Sequence, residues 1–402
     1  VGVGSPPVRL EAFDAFDCQV VAGQLFDGFK HFLFGFIHQG NGNAIGTGPA
    51  GSAAALALAC LGGGIAASAL LARRFAYMDA AARIKLGQDD LAGALADFDA
   101  VLALVPQGGR VVAAHDLYGG TWRLLDRWHA EGRLQVDWVN LTDLDATRTA
   151  LSDSADLVWV ETPSNPLLRI TDIAAVAELG HSAGATVLVD NTFCSPLRQQ
   201  PLDLGADVVM HSTTKFINGH SDVIGGALVA GTAELAEQLV WWANTTGVVG
   251  SSFDAWLQLR GLRTLSARMD VHERNAAAIV DLLTSHPAVA AVHYPGLPDH
   301  PGHELAARQQ SGFGAVVSFE LAGGLDAAKQ VVSGLRCFDL AESLGGVESL
   351  VVHPGSMTHG AMSAEAQTLA GITPGLLRLS VGIEGADDLV ADLRAGLDQA
   401  GR

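Results

Sequence analysis

From residue 99 onward, apolar residues come in short runs, each ended by small or polar residues and followed by a longer stretch with helical spacing. Runs at 110–114 (RVVAA), 134–138, 157–161, 186–190, 208–210 and 226–229 read as strands, and the stretch 170–183 reads as a helix between two of them. Asp116 stands where its carboxylate could cap a helix beginning at Tyr118 or the glycines after it. Short apolar strands separated by helices form βαβ units and predict an α/β fold with a mostly parallel central sheet. Residues 255–283 read as one long helix. Beyond it the pattern is α+β, with strands at 289–293 and 310–321, polar-edged segments at 343–359 and 376–384, and a closing helix from Ala386. The expected organisation is an atypical segment at 1–98, a large domain at 99–261 and a smaller α+β domain at 262–402.

In parallel sheets functional groups gather at the carboxyl ends of the strands. Three polar clusters fall there: 161–165 (ETPSN), 190–192 (DNT) and 212–215 (STTK). The last is the richest. It sits in the run 205–229, GADVVMHSTTKFINGHSDVIGGALV, and holds Lys215, one of only four lysines among 24 Lys and Arg. A lysine behind hydroxyls at a strand end can form a Schiff base with a carbonyl, and pyridoxal phosphate is the cofactor that most often uses one. That chemistry needs companions. Asp190 could keep the pyridine nitrogen protonated, Ser212 and Thr214 could hold the phosphate, and Tyr118 could cover the ring. Arg378 offers the planar, bidentate cation that a substrate carboxylate requires. The plainer readings stay open at this point: a turn-capping lysine, a strand-end cap, a core aromatic and a surface salt bridge.

Composition narrows the class. With 402 residues, 49% of them hydrophobic, and a mean hydropathy of +0.27, the chain can bury large cores. A net charge of −19 and pI near 5.0 argue against nucleic-acid binding, which needs clustered Lys and Arg. Cys18, Cys60, Cys194 and Cys337 are too scattered for a disulfide framework, and the fourteen histidines show no metal-ligand spacing, so no metal is expected. The chain reads as a reduced, cytoplasmic protein of enzyme size. The uncharged stretch 50–71 (AGSAAALALACLGGGIAASALL) has the length of a membrane span. Its Ala, Gly and Ser content and its three consecutive glycines favour a buried helix or a poorly ordered segment instead, so no membrane is expected.

The motif HSTTKFINGHSDVIGG resembles the lysine motif of the Cys/Met-metabolism family of pyridoxal-phosphate enzymes, which have the aspartate-aminotransferase-like fold, fold type I. The segments 241–265 (WWANTTGVVGSSFDAWLQLRGLRTL), 302–321 (GHELAARQQSGFGAVVSFEL) and 340–350 (LAESLGGVESL) are similar to the cystathionine γ-synthase branch of that family. The resemblance covers about three quarters of the chain, from Asp97 onward. It implies that Lys215 carries pyridoxal 5'-phosphate and then shuttles protons, that Asp190 pairs with the ring nitrogen, and that Thr192 lies against the ring. It further implies phosphate binding by Ser212 and Thr214, and a stacking and acid/base role for Tyr118. Asn165 would contact the ring hydroxyl or the substrate carboxylate, Arg378 and Ser343 would anchor that carboxylate, and Glu348 would receive the distal amino group of the substrate.

The implied activity is γ-replacement, which forms cystathionine from O-succinyl- or O-acetylhomoserine and cysteine. A homotetramer built from dimers with shared active sites is the implied assembly. A γ-lyase shares nearly all of these residues and is the alternative of the same class. Residues 1–98 carry neither the family's Tyr-x-Arg pair nor its S-G-M-A-like phosphate turn. A cofactor-impaired relative is therefore the alternative of another class. That segment is either a genuine replacement or the product of a shifted frame upstream of Asp97.

Overall fold

The computed structural model describes residues 19–20, 103–248, 250–360 and 364–400. The segment 1–98 lies outside these but for residues 19–20, and with it the stretch 50–71 and the missing phosphate motifs.

The first sheet has seven strands: β1 (Gln19–Val20), β2 (Arg110–Ala114), β3 (Gln135–Val139), β4 (Leu157–Glu161), β5 (Thr186–Asp190), β6 (Val208–Ser212) and β7 (Gly226–Ala230). Their order across the sheet is β1-β7-β6-β5-β4-β2-β3. From β3 to β6 every neighbouring pair is parallel, while β7 runs antiparallel to β6, and β1 to β7. Strands β4 and β7 are buried at every position, as expected of strands covered on both faces, and that is why they read as continuous apolar runs. Helices α1 (Gly119–Ala130), α2 (Leu144–Ala150), α3 (Ile173–Ser182), α4 (Ser195–Arg198) and α5 (Ala233–Thr245) fill the connections. Side-chain oxygens of Asp143, Asp172 and Thr232 cap the first turns of α2, α3 and α5.

The long helix α6 (Ser252–Ser285) begins three residues earlier than expected because the Ser251 hydroxyl accepts the Asp254 N–H, and it runs unbroken through residue 261. A second, five-stranded sheet follows: β8 (Val289–His293), β9 (Val316–Leu321), β10 (Phe338–Leu340), β11 (Ser349–Val352) and β12 (Leu376–Ser380), in the order β10-β11-β12-β9-β8. Helices α7 (His303–Gln309), α8 (Gly324–Gly334), α9 (Ala364–Ala370) and α10 (Ala386–Ala400) accompany it. Two expectations need correction. The strand expected at 310–321 forms only from Val316, because Gly314 at φ 75° turns the chain out of the extended region. Asp116 caps no helix: its carboxylate is taken by Arg169 Nη1 and Ser164 Oγ.

Two large apolar cores form among the described residues, beside a small cluster of Leu167, Ala370, Ile372 and Leu376. One surrounds the seven-stranded sheet, with Trp159, Val187 and Val209 at its centre. The other lies between α6, the five-stranded sheet and α10, and reaches Phe216 beside the lysine. Two glycines let the elements meet. At Gly345 (φ 78°) a Cβ would lie 2.6 Å from Phe216 N, and at Gly261 on α6 it would collide with the Asn218 carbonyl. Among the described residues no helix is long and apolar enough to cross a membrane.

Candidate active site

The parallel register brings strand ends into a row, with Glu161 beside Asp190 and Asp190 beside Met210. The chain turns after β5, and Thr192 folds back so that its N–H and its hydroxyl both donate to Asp190 Oδ1, at 2.9 and 2.6 Å. Thr192 Oγ1 in turn accepts the Ser212 N–H at 2.8 Å and ties the ends of β5 and β6 together. Burial pushes the Asp190 carboxyl up to about 6, against the two Thr192 hydrogen bonds, which favour the anion. Neither bond uses Asp190 Oδ2.

Lys215 follows β6 by three residues, and its Nζ donates to Ser343 Oγ at 3.0 Å. Burial, and then the nearby Arg378 cation, push the amine down to about 8, while Glu342 opposes the shift. The lysine turn is pinned from below by Arg268 on α6, which donates to the carbonyls of Phe216, Ile217 and Gly261. The Thr214 hydroxyl is engaged by Gly225, accepting its N–H at 3.0 Å and donating to its carbonyl at 3.2 Å. The Ser212 side chain makes no hydrogen bond among the described residues.

The second sheet closes the site with Arg378 on β12, which is 2% exposed. Its Nη1 donates to Asn165 Oδ1 at 2.7 Å, and its Nη2 to the carbonyls of Ser343 and Glu342 at 3.1 and 3.3 Å. Nε is buried without a partner among the described residues. Asn165, Gly119, Trp122, Arg123, Thr358 and His359 help line an adjoining cavity of about 140 Å³. Tyr118 stands at the start of α1, where its N–H donates to Glu161 Oε2 at 2.7 Å. The residue is 40% exposed, and partial burial raises the phenol above its usual range.

Lys215, Ser343, Arg378 and Asn165 are thus joined by direct hydrogen bonds, and Tyr118 and Asp190 are coupled to them through Glu161. Glu348 is not in this group, because its carboxylate takes the Ser221 hydroxyl in the loop beyond the lysine. Glu342 is the carboxylate that acts on Lys215, and it acts on Tyr118 and Arg378 after Glu161. Glu342, Arg123 and Arg268 were missed in the sequence. Glu161 was noted only as part of the strand-end cluster 161–165, with no role of its own.

A sequence model of the Cys/Met metabolism PLP-dependent enzymes matches residues 69–398. The chain belongs to that family. Among curated members of the family, the chain is 51% identical to the cystathionine gamma-synthase of Escherichia coli K12 over 295 residues, 73% of this chain and 76% of the other. To the cystathionine gamma-lyase of Dictyostelium discoideum it is 48% identical over 308 residues, 77% of this chain and 80% of the other. Among solved structures of the family, the cystathionine gamma synthase of Xanthomonas oryzae pv. oryzae in complex with cystathionine superposes with a TM-score of 0.78 at 56% identity, covering 81% of this chain and 84% of that one. Pyridoxal 5'-phosphate is the family's cofactor. The donor set fits it: a buried carboxylate with one free oxygen suits a pyridinium N–H, a free hydroxyl at Ser212 suits a phosphate oxygen, and a lysine driven toward its neutral form suits attachment to a carbonyl.

Proposed function

We propose that this chain catalyses γ-replacement, in which the acyloxy group of an O-acyl-homoserine leaves the γ-carbon and the sulfur of cysteine takes its place, giving cystathionine. What carries the reading is the hydrogen-bonded run Lys215–Ser343–Arg378–Asn165, whose Asn165 lines the cavity, in a chain 51% identical to a cystathionine gamma-synthase. Lys215 would hold the cofactor, with Asp190 at its ring nitrogen, Thr192 and Tyr118 against its ring, Asn165 at its hydroxyl, and Ser212 and Thr214 at its phosphate. When bound, pyridoxal phosphate supplies the electron sink that makes the hydrogens next to the substrate amine acidic.

The protein's own groups divide the remaining work. Lys215 Nζ, pushed down to about 8, can take a proton from the substrate's α-carbon and return one later without a large energetic mismatch near neutral pH. Arg378 offers its fork to the substrate carboxylate; its unused Nε–H and its fixed plane orient the α-carbon toward Lys215. Tyr118, within electrostatic reach of Arg378, exchanges a proton with the substrate amine. Arg123, an exposed cation on the cavity wall without an ion pair among the described residues, suits an acyl chain that ends in a carboxylate. The assembly is a homotetramer built from dimers, working in the cytoplasm, and light scattering on the purified protein tests the tetramer.

The decisive experiment incubates the PLP-loaded chain with O-succinylhomoserine plus cysteine, and separately with cystathionine. Cystathionine formation supports the reading. Release of cysteine and 2-oxobutyrate from cystathionine, with no cystathionine made, replaces it with a γ-lyase. The absence of a visible absorbance band after PLP is added to the folded chain would point to the cofactor-impaired relative.

A further inference from the structure

Two carboxylates stand side by side at the ends of β4 and β5. Glu161 and Asp190 are register partners in a parallel ladder, so their side chains leave the sheet on the same face, and they are only 5% and 7% exposed. Like charges at that separation, away from water, do not both persist. Hydrogen bonding decides which one keeps the charge. Asp190 Oδ1 receives two donors from Thr192, whereas Glu161 receives one, the Tyr118 N–H at 2.7 Å. Four ionisable groups face Glu161: Asp190 from β5, Asp116 and Tyr118 from the loop before α1, and Arg378 from β12. Three of them are acids, and the one cation is engaged with Asn165 and two carbonyls.

The one hydrogen bond Glu161 makes among the described residues is also a mechanical one. Tyr118 is the residue on which α1 begins, and its own side chain caps nothing. The Glu161 oxygen therefore satisfies the first N–H there and fixes where the tyrosine ring stands over the site.

We propose that Glu161 is a positioning residue of the reaction: as a neutral carboxylic acid it accepts the Tyr118 N–H, seats the tyrosine ring, and leaves the negative charge of the paired strand ends to Asp190. This rests on the γ-replacement reading for its catalytic consequence, but not for its electrostatic one. Burial and the Asp190 charge both hold the Glu161 carboxyl well above the usual range. An acid raised on folding stabilises the fold while protonated and loses that contribution as pH rises past its unfolded value.

The test compares Glu161→Gln, which keeps the acceptor and cannot ionise, with Glu161→Ala, which removes it. In thermal melts of the apo-protein from pH 5 to 8, the melting temperature of the Gln variant relative to wild type rises with pH. A difference that is flat or falls overturns the neutral-acid assignment. In the PLP-loaded enzyme, Glu161→Ala lowers kcat about 10- to 100-fold, the cost of a misplaced group, with a smaller change in KM. Glu161→Gln recovers most of that loss. Equal loss in both variants, each with native circular dichroism, overturns the positioning role. If wild type itself forms no cystathionine, the γ-replacement reading fails, while the apo melts still decide the protonation of Glu161.

Discussion

Replacing Lys215 by Met should make the apo-protein more stable. The lysine amine is pushed from its ordinary 10.5 to about 8, first by burial and then by Arg378. A base whose folded pKa lies below its unfolded value disfavours folding wherever it is charged. The penalty is full below about pH 8 and fades as pH climbs toward 10.5. At roughly 1.4 kcal/mol for each pKa unit, the drop corresponds to about 3 kcal/mol at pH 7. Methionine fills a similar volume without the charge, but gives up the bond to Ser343 Oγ, worth about 1 kcal/mol. The net gain is about 2 kcal/mol, or about 4–8 °C in melting temperature for a domain of this size.

The assay is a set of thermal melts of apo wild type and Lys215→Met between pH 7 and 10. The variant melts higher at pH 7, and the gap closes as pH approaches 10. A variant that melts at or below wild type at pH 7 would refute the reasoning, as would a gap independent of pH. The same measurement with PLP present reverses the order, because only wild type gains the ligand's stabilisation.

Arg378→Lys swaps a fork for a point charge and loses one or two charge-assisted hydrogen bonds of about 1.5–3 kcal/mol each. KM for the amino-acid substrates therefore rises about 10- to 100-fold or more, with a smaller change in kcat, and steady-state kinetics that keep KM within threefold of wild type would sink the carboxylate role. Asp190→Asn removes the anion but keeps a partner for Thr192, so affinity for PLP, read by absorbance titration of the apo-protein, drops about tenfold or more. Unchanged affinity would mean that Asp190 does not face the ring nitrogen.

The sheet that carries the lysine was easy to read because its strands are buried on both faces, which leaves apolar runs such as LVWVE and TVLVD ended by single acids. Strand β10 was missed; it is three residues long, with two of them exposed, so it bears no alternation to read. In the site, Lys215, Asp190, Tyr118 and Arg378 could be chosen by residue chemistry and strand position alone. Glu342 could not. It lies in the short loop between β10 and β11, and its approach to the lysine depends on the turn at Gly345, whose positive φ leaves no trace in hydrophobic pattern. The Asn165–Arg378 bond joins residues 213 positions apart, beyond any local signal.

Lys215 lies where the two cores meet: Val209, on the strand before it, belongs to the first, and Phe216, the next residue, to the second. That position explains how the chain keeps a destabilising amine in place. Strand β6 fixes its start, Arg268 holds the Phe216 and Ile217 carbonyls of the turn behind it, and the glycines at 261 and 345 let α6 and the second sheet close to contact distance. Burial among these groups and the nearby Arg378 cation shift the amine toward its neutral form, the form that can attack a carbonyl and accept a proton.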